Sequence, residues 1–259
     1  MQKPVYPKVA ADLLWIQFLW ALGFLGVMLA VHIIKMILTI VQGSEMNDFF
    51  AATLIASNIF MLVIGIISIH GFLPFYVSQG VTRKDYFKGA ALSALGLSIV
   101  LPVIMSIVTL LERWIVNFMI GVTFEDSSFA RKAMEAEDNL IADVIKSIIV
   151  APVVDLQSNW FVAILIFAIN LLTYFIAGWF IGTAFYRFGV MIGLAGILIA
   201  IFTLYVTDLL LSVALQLPVS ELFATLDLPL TISVLGVLAL LAILLWMIRQ
   251  MTKRVTVKI

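Results

Sequence analysis

Cysteine is absent from the 259 residues, which excludes disulfides, thiolate metal sites and thiol nucleophiles. Histidine occurs only twice, too few for a histidine-rich metal centre. Charge is scarce too: Asp, Glu, Lys and Arg supply 12% of the chain, where a soluble domain carries roughly 25%. No G-x-S-x-G elbow, H-E-x-x-H pair or G-x-x-x-x-G-K-[ST] phosphate loop occurs, so those hydrolytic chemistries are not expected. If ATP drives this protein, another chain must bind it. Basic and acidic residues balance at 15 each, leaving no basic excess for a nucleic-acid partner. No enzymatic activity, cofactor or metal is expected of this chain itself.

What fills the space is apolar. Hydrophobic residues make up 64% of the chain, and the mean hydropathy is +1.19. A soluble fold of this length cannot bury that much apolar side chain, because its surface grows too fast relative to its volume. The excess must face lipid. A bilayer core about 30 Å thick takes roughly 20 apolar residues in a helix. Six segments are long enough: about 13–41, 49–77, 89–118, 159–183, 190–215 and 230–248. They are unbroken apolar runs without period-two alternation, which favours helices over barrel strands. The first run is much longer than the apolar core of a cleavable signal peptide and reads as a retained span. The expected fold is thus an all-α membrane protein of six transmembrane helices, forming one domain over residues 1–259.

The sparse charges orient it. Lys3 and Lys8 precede the first span, and Arg83, Lys84 and Lys88 separate the second from the third. Arg187 lies between the fourth and fifth, and Arg249, Lys253, Arg254 and Lys258 follow the sixth. The intervening loops are acidic: Glu45 and Asp48, then a long segment rich in Asp and Glu, then Glu221 and Asp227. This alternation predicts both termini in the cytoplasm of a cell (plasma) membrane. Within the long segment, about 119–158, Phe129, Ala133, Ala136, Leu140, Val144 and Ile148 recur at helical spacing. They predict an amphipathic helix on the outer surface.

Ionisable residues inside spans are expensive and commonly functional. Lys35 in span 1 and Asp208 in span 5 sit at similar depth toward the outer side. They read either as a pair lining a translocation path or gate, or as a snorkelling lysine and a separately solvated aspartate. His70 joins them as a candidate proton carrier, or serves as a helix–helix hydrogen-bond partner. Glu112 and Arg113 read as interfacial. Gly178 and Gly182 suit a close helix crossing, and the six tryptophans mostly lie toward span ends, as an interfacial belt requires.

The most distinctive segment runs from Ser78 to Gly89. Gly80 suits a left-handed helix terminus, Thr82 an N-cap, and Asp85 the first turn of a helix beginning at Arg83. With Tyr86 and Phe87, this short helix is either a docking element for a soluble partner or a basic loop that anchors to lipid head groups. The pattern Gly80-Val81-Thr82-Arg83-Lys84-Asp85-Tyr86-Phe87, directly after the second of six spans, resembles the "G-x-[ST]-R-x-x-[FY]" loop of ABC-2-type permeases. It is most similar to the small permease subunits of Gram-positive bacterial ABC exporters.

That resemblance implies a cytosolic coupling helix in which Arg83, Lys84, Asp85, Tyr86 and Phe87 dock on an ATP-binding cassette subunit, which would carry ATP and Mg. It implies a second contact at Tyr186, Arg187, Phe188 and Gly189, and an interfacial helix within Pro4–Asp12. It further implies a second permease chain, identical or different, and export of a peptide, antimicrobial or amphipathic compound. The competing readings are an ion-coupled secondary transporter using Asp208, Lys35 and His70, or a membrane sensor or immunity protein binding an external peptide.

Overall fold

The computed structural model describes residues 5–42, 48–119, 156–217 and 228–253. All regular structure among them is helical: α1 (Tyr6–Gln42), α2 (Phe49–Ile67), a π-helical turn (Ser68–Phe72), α3 (Leu73–Ser78), α4 (Arg83–Met119), α5 (Leu156–Phe188), α6 (Val190–Ala214) and α7 (Leu230–Thr252). With α2, the π turn and α3 taken as one rod, six helices are long and apolar enough to cross a membrane. The protein is a membrane-embedded helical bundle.

The spans differ from expectation at their ends. The first helix begins at Tyr6 without a break, so Pro4–Asp12 does not form a separate interfacial helix. Pro7 is tolerated in a first turn, where the missing N–H has no partner to lose, and nothing after it interrupts the helix. Residues 83–88 likewise open α4 itself, which runs unbroken to Met119, instead of forming a free-standing helix. In α5, Asn159 departs from helical geometry, and its Oδ1 accepts from the Val162 N–H at 3.3 Å, which starts the span there. The amphipathic helix expected over 119–158 falls almost wholly outside the described residues.

α5 is the hub. It packs against α2, α4, α6 and α7, and 72% of its most apolar window is buried, against 17% for α1. A helix apolar all round is stable at the centre of a bundle; α1 instead leaves much of its apolar surface for lipid. The closest packing joins α2 to α5, which run parallel. A Cβ on Gly178 would lie 2.9 Å from the Leu62 carbonyl carbon, and one on Gly65 would lie 2.8 Å from the Trp179 nitrogen. Only hydrogen fits at these two positions, so the backbones approach as small residues in membrane helices allow. α1 and α4 form another parallel pair, tied in the third nearest their N-termini by Ser93 Oγ donating to Gln17 Oε1 at 2.7 Å.

The π turn has a local cause. Pro74 stands in the first turn of α3 and has no N–H to give the preceding turn, so a wider turn re-routes the hydrogen bonds. Leu73 N–H reaches the Ser68 carbonyl, five residues back. The tryptophans partly follow the belt expectation: Trp15, Trp114, Trp160 and Trp246 are each 60% exposed or more. Trp179 does not, being fully buried against Phe87 and Phe175.

Candidate functional site

One end of the bundle gathers the bases. α3 ends in a Schellman motif, with Val81 N–H bonded to Tyr76 O and Gly80 N–H to Val77 O, both at 3.0 Å. Gly80 takes φ +84°, which an L side chain rarely adopts. Thr82 then caps α4: its Oγ1 accepts from Asp85 N–H at 3.1 Å and donates to Asp85 Oδ2 at 2.9 Å. These local rules deliver Arg83 and Lys84 to the bundle end.

The two stretches singled out in the sequence are brought together there by α7. Arg83 Nη1 donates to the Lys253 carbonyl at 3.3 Å, and Arg249 Nη1 donates back to the Arg83 carbonyl at 3.4 Å. Arg187, from the end of α5, donates to the Gln250 carbonyl at 2.9 Å and to that of Met251. Its guanidinium also lies 4.9 Å from the Phe188 ring. Basic side chains on the last carbonyls of α7 answer its exposed helix C-terminus. α1 closes the face, with Lys88 Nζ 5.2 Å from the Tyr6 ring.

The resulting face carries Lys8, Arg83, Lys84, Lys88, Arg187, Arg249 and Lys253 against Asp12 and Asp85. Asp12 accepts from the Tyr76 hydroxyl at 2.5 Å, and Asp85 is held by Thr82. Among the described residues no carboxylate forms an ion pair with any of these bases; the only ion pairs lie at the other end. The face is strongly and locally positive although the chain is neutral.

The aromatic residues that follow Arg83 turn toward the bundle. Tyr86 is 1% exposed, its hydroxyl donating to the Ser68 carbonyl within the π turn. It therefore belongs to the core and is not available to a partner: it lies on the helix stripe that continues through Ala90, Ser93 and Leu97, all buried. Phe87 is half-buried, packed 5.3 Å from the Trp179 ring with the Arg249 guanidinium 5.6 Å away. Arg83, Lys84, Asp85, Tyr186, Arg187 and Phe188 remain at least partly exposed.

Lys35, Asp208 and His70 do not form one site. Lys35 is exposed on α1, which packs on α4 and less on α2, so its stem is free to reach head groups. Asp208 is half-buried on α6 beside Tyr174 of α5. Neither has an ion-pair partner among the described residues. The two are not paired here: α1 packs on α4 and α2, whereas α6 packs on α5 and α7. His70 is exposed in the π turn, its ring 5.4 Å from Tyr186 and its Nδ1 3.2 Å from the Ile66 carbonyl. It lies toward the basic end.

A second polar cluster, at the opposite end, was not anticipated as a unit. Glu112 Oε1 lies 2.6 Å from His32 Nε2, while its Oε2 accepts from Phe49 N–H at 2.9 Å. Thr109 Oγ1 accepts from Phe50 N–H at 2.9 Å, and Asp48 Oδ1 from Ala51 N–H at 2.9 Å. Arg113 Nη2 donates to Asp48 Oδ2 at 2.6 Å. The first turn of α2 thus has three N–H groups met by side chains, as a helix end in lipid requires. Glu112 and Arg113 face inward at this end of the bundle and staple α1, α2 and α4. The available signal was an acid–base dipeptide inside an apolar span, at about the depth of His32. Every oxygen named here has a structural hydrogen bond, and no group of His, Cys, Asp or Glu suited to a metal occurs among the described residues.

No family model, curated protein sequence or solved structure matches this chain.

Proposed function

We propose that this chain is the membrane-embedded permease subunit of an ATP-driven exporter in a bacterial cell membrane. Both of its ends would lie in the cytoplasm, and it would work with a second permease chain and ATP-binding cassette subunits. The observation that carries the reading is the unpaired basic face. The connections after the second and fourth spans contribute Arg83, Lys84 and Arg187 to one surface, clasped through the end of α7. A partner with an acidic groove fits it, and a push on Arg83 passes directly into α4, which spans the bundle without interruption. The cassette subunits would bind ATP and Mg; this chain would supply helix movement and a substrate surface.

Co-purification with a candidate cassette ATPase from the same organism tests the proposal. Arg83→Ala with Lys84→Ala should abolish complex formation while leaving the bundle folded. Tyr86→Phe, which removes only a buried hydroxyl, should leave complex formation intact. Unchanged complex formation and ATPase stimulation in the double variant would refute the assignment.

One observation favours a second reading, an ion-coupled secondary transporter. Asp208 is a half-buried carboxylate inside a span with no basic partner among the described residues, as a proton-carrying acid would be. Transport by this chain alone, abolished by a protonophore and by Asp208→Asn, would establish it over the exporter.

A further inference from the structure

α4 and α7 lie side by side on α5, and a groove of about 280 Å³ runs between them. Its floor is buried, formed by Ala94, Ile176 and Leu241, whereas Leu92, Leu95 and Leu238 on its rims are each 45% exposed. The wall is apolar throughout. The groove volume lies just below the roughly 300–1,000 Å³ of drug-sized pockets. A single flexible hydrocarbon chain fits it.

Toward the basic end the groove meets cations. Arg249 lies one helical turn beyond Leu245, which lines the groove, and beyond it α4 and α7 are joined by the Arg83 and Arg249 hydrogen bonds. Each guanidinium has five N–H donors. Those of Arg83 and Arg249 reach only backbone carbonyls, and no carboxylate neutralises them among the described residues. An apolar slot at hydrocarbon depth therefore opens onto uncompensated charge at head-group depth.

We propose that this groove binds an anionic phospholipid, with one acyl chain between α4 and α7 and its phosphate on Arg83, Arg249 and Lys253. The proposal does not depend on the exporter reading. A chain that leaves bilayer hydrocarbon for an apolar groove gains little, since lipid tails are as apolar as leucine. Selectivity must then come from the head group. Charge-assisted bidentate contacts from arginine to phosphate supply it, and each cation near an anionic surface contributes about fivefold in affinity, the equivalent of roughly 1 kcal/mol.

Native mass spectrometry of the full chain in detergent, titrated with phosphatidylglycerol or phosphatidylcholine of identical acyl chains, tests this. Phosphatidylglycerol should bind at least fivefold more tightly. Arg83→Gln with Arg249→Gln should remove most of that preference, and Ala242→Phe, which fills the groove, should weaken both lipids. Lys253→Gln, at an exposed site, should lower the preference about fivefold even if the arginine variants fold poorly. Equal binding of the two lipids, or unchanged binding after Ala242→Phe, would overturn the proposal. So would a disulfide-linked dimer formed efficiently in membranes by Leu95→Cys, which would assign the groove to a second copy.

Discussion

Replacing Gly178 or Gly65 with alanine sets two effects of opposite sign against each other. In a helix interior alanine is favoured over glycine by about 0.8–1.0 kcal/mol. Against this, the new Cβ at Gly178 would press on the Leu62 carbonyl, and that at Gly65 on the Phe175 carbonyl and the Trp179 nitrogen. These obstacles are backbone, so no rotamer change relieves them; α2 and α5 must move apart. Forcing extra volume into a packed core costs about 1–3 kcal/mol, so each single variant should lose up to about 2 kcal/mol net. Both glycines sit in one helix crossing, and separating the helices once relieves both clashes. The double variant should therefore be clearly less damaged than the sum of the singles. Gly23 and Gly26 supply the control, because a Cβ at either meets nothing within 4 Å. Alanine there should be neutral or stabilising by up to about 1 kcal/mol. Since the chain has no cysteine, a single Ser57→Cys reporter, buried on α2, can follow unfolding in mixed micelles by its labelling rate. If all four alanine variants behaved alike, or if the Gly65 and Gly178 losses added simply, the close α2–α5 crossing would be wrong.

The clamp opposite the basic face should behave as a buried ion pair. Arg113 and Asp48 side chains are 15% and 9% exposed, so Arg113→Gln or Asp48→Asn alone should cost about 3–5 kcal/mol and the pair together distinctly less than the sum, read from the same micelle titration. Lys35 and Asp208 should show the reverse pattern. With no ion pair between them among the described residues, Lys35→Gln and Asp208→Asn should have additive effects on stability, and a coupling above about 0.5 kcal/mol would place them in contact.

Much of the architecture was legible because lipid imposes a coarse rule, about 20 apolar residues per crossing, which composition alone reveals. Gly80 and Thr82 were legible for a different reason: a helix cap is decided by a few neighbouring residues. What escaped was everything set by rotation about a helix axis. In an apolar span nearly every face looks alike, so Tyr86 could be read as exposed although it faces the π turn, and Trp179 as interfacial although it lies in the core. The Lys35–Asp208 pairing failed similarly, since equal depth says nothing about which side of a neighbouring helix each residue occupies. The His32–Glu112 and Arg113–Asp48 contacts needed the register of α1, α2 and α4, which only packing supplies. Where α4 starts also depended on context: no residue between Lys88 and the span breaks a helix, so the short segment and the span fuse.

The parallel course of α2 and α5 bears on how the protein is made. Leu62 and Gly178 touch although they are more than a hundred residues apart in the chain. At synthesis rates of about 5–20 residues per second, the glycine face of α2 enters the membrane several seconds before its partner is translated. Through that interval it has no protein to pack against, and lipid or a chaperone must cover it. α1 and α4, bound by their own Ser93–Gln17 hydrogen bond, are complete well before then. The α2 seam would therefore close only when α5 arrives, before α6 and α7 are added, and a ribosome stalled ahead of α5 would leave a membrane intermediate with that seam open.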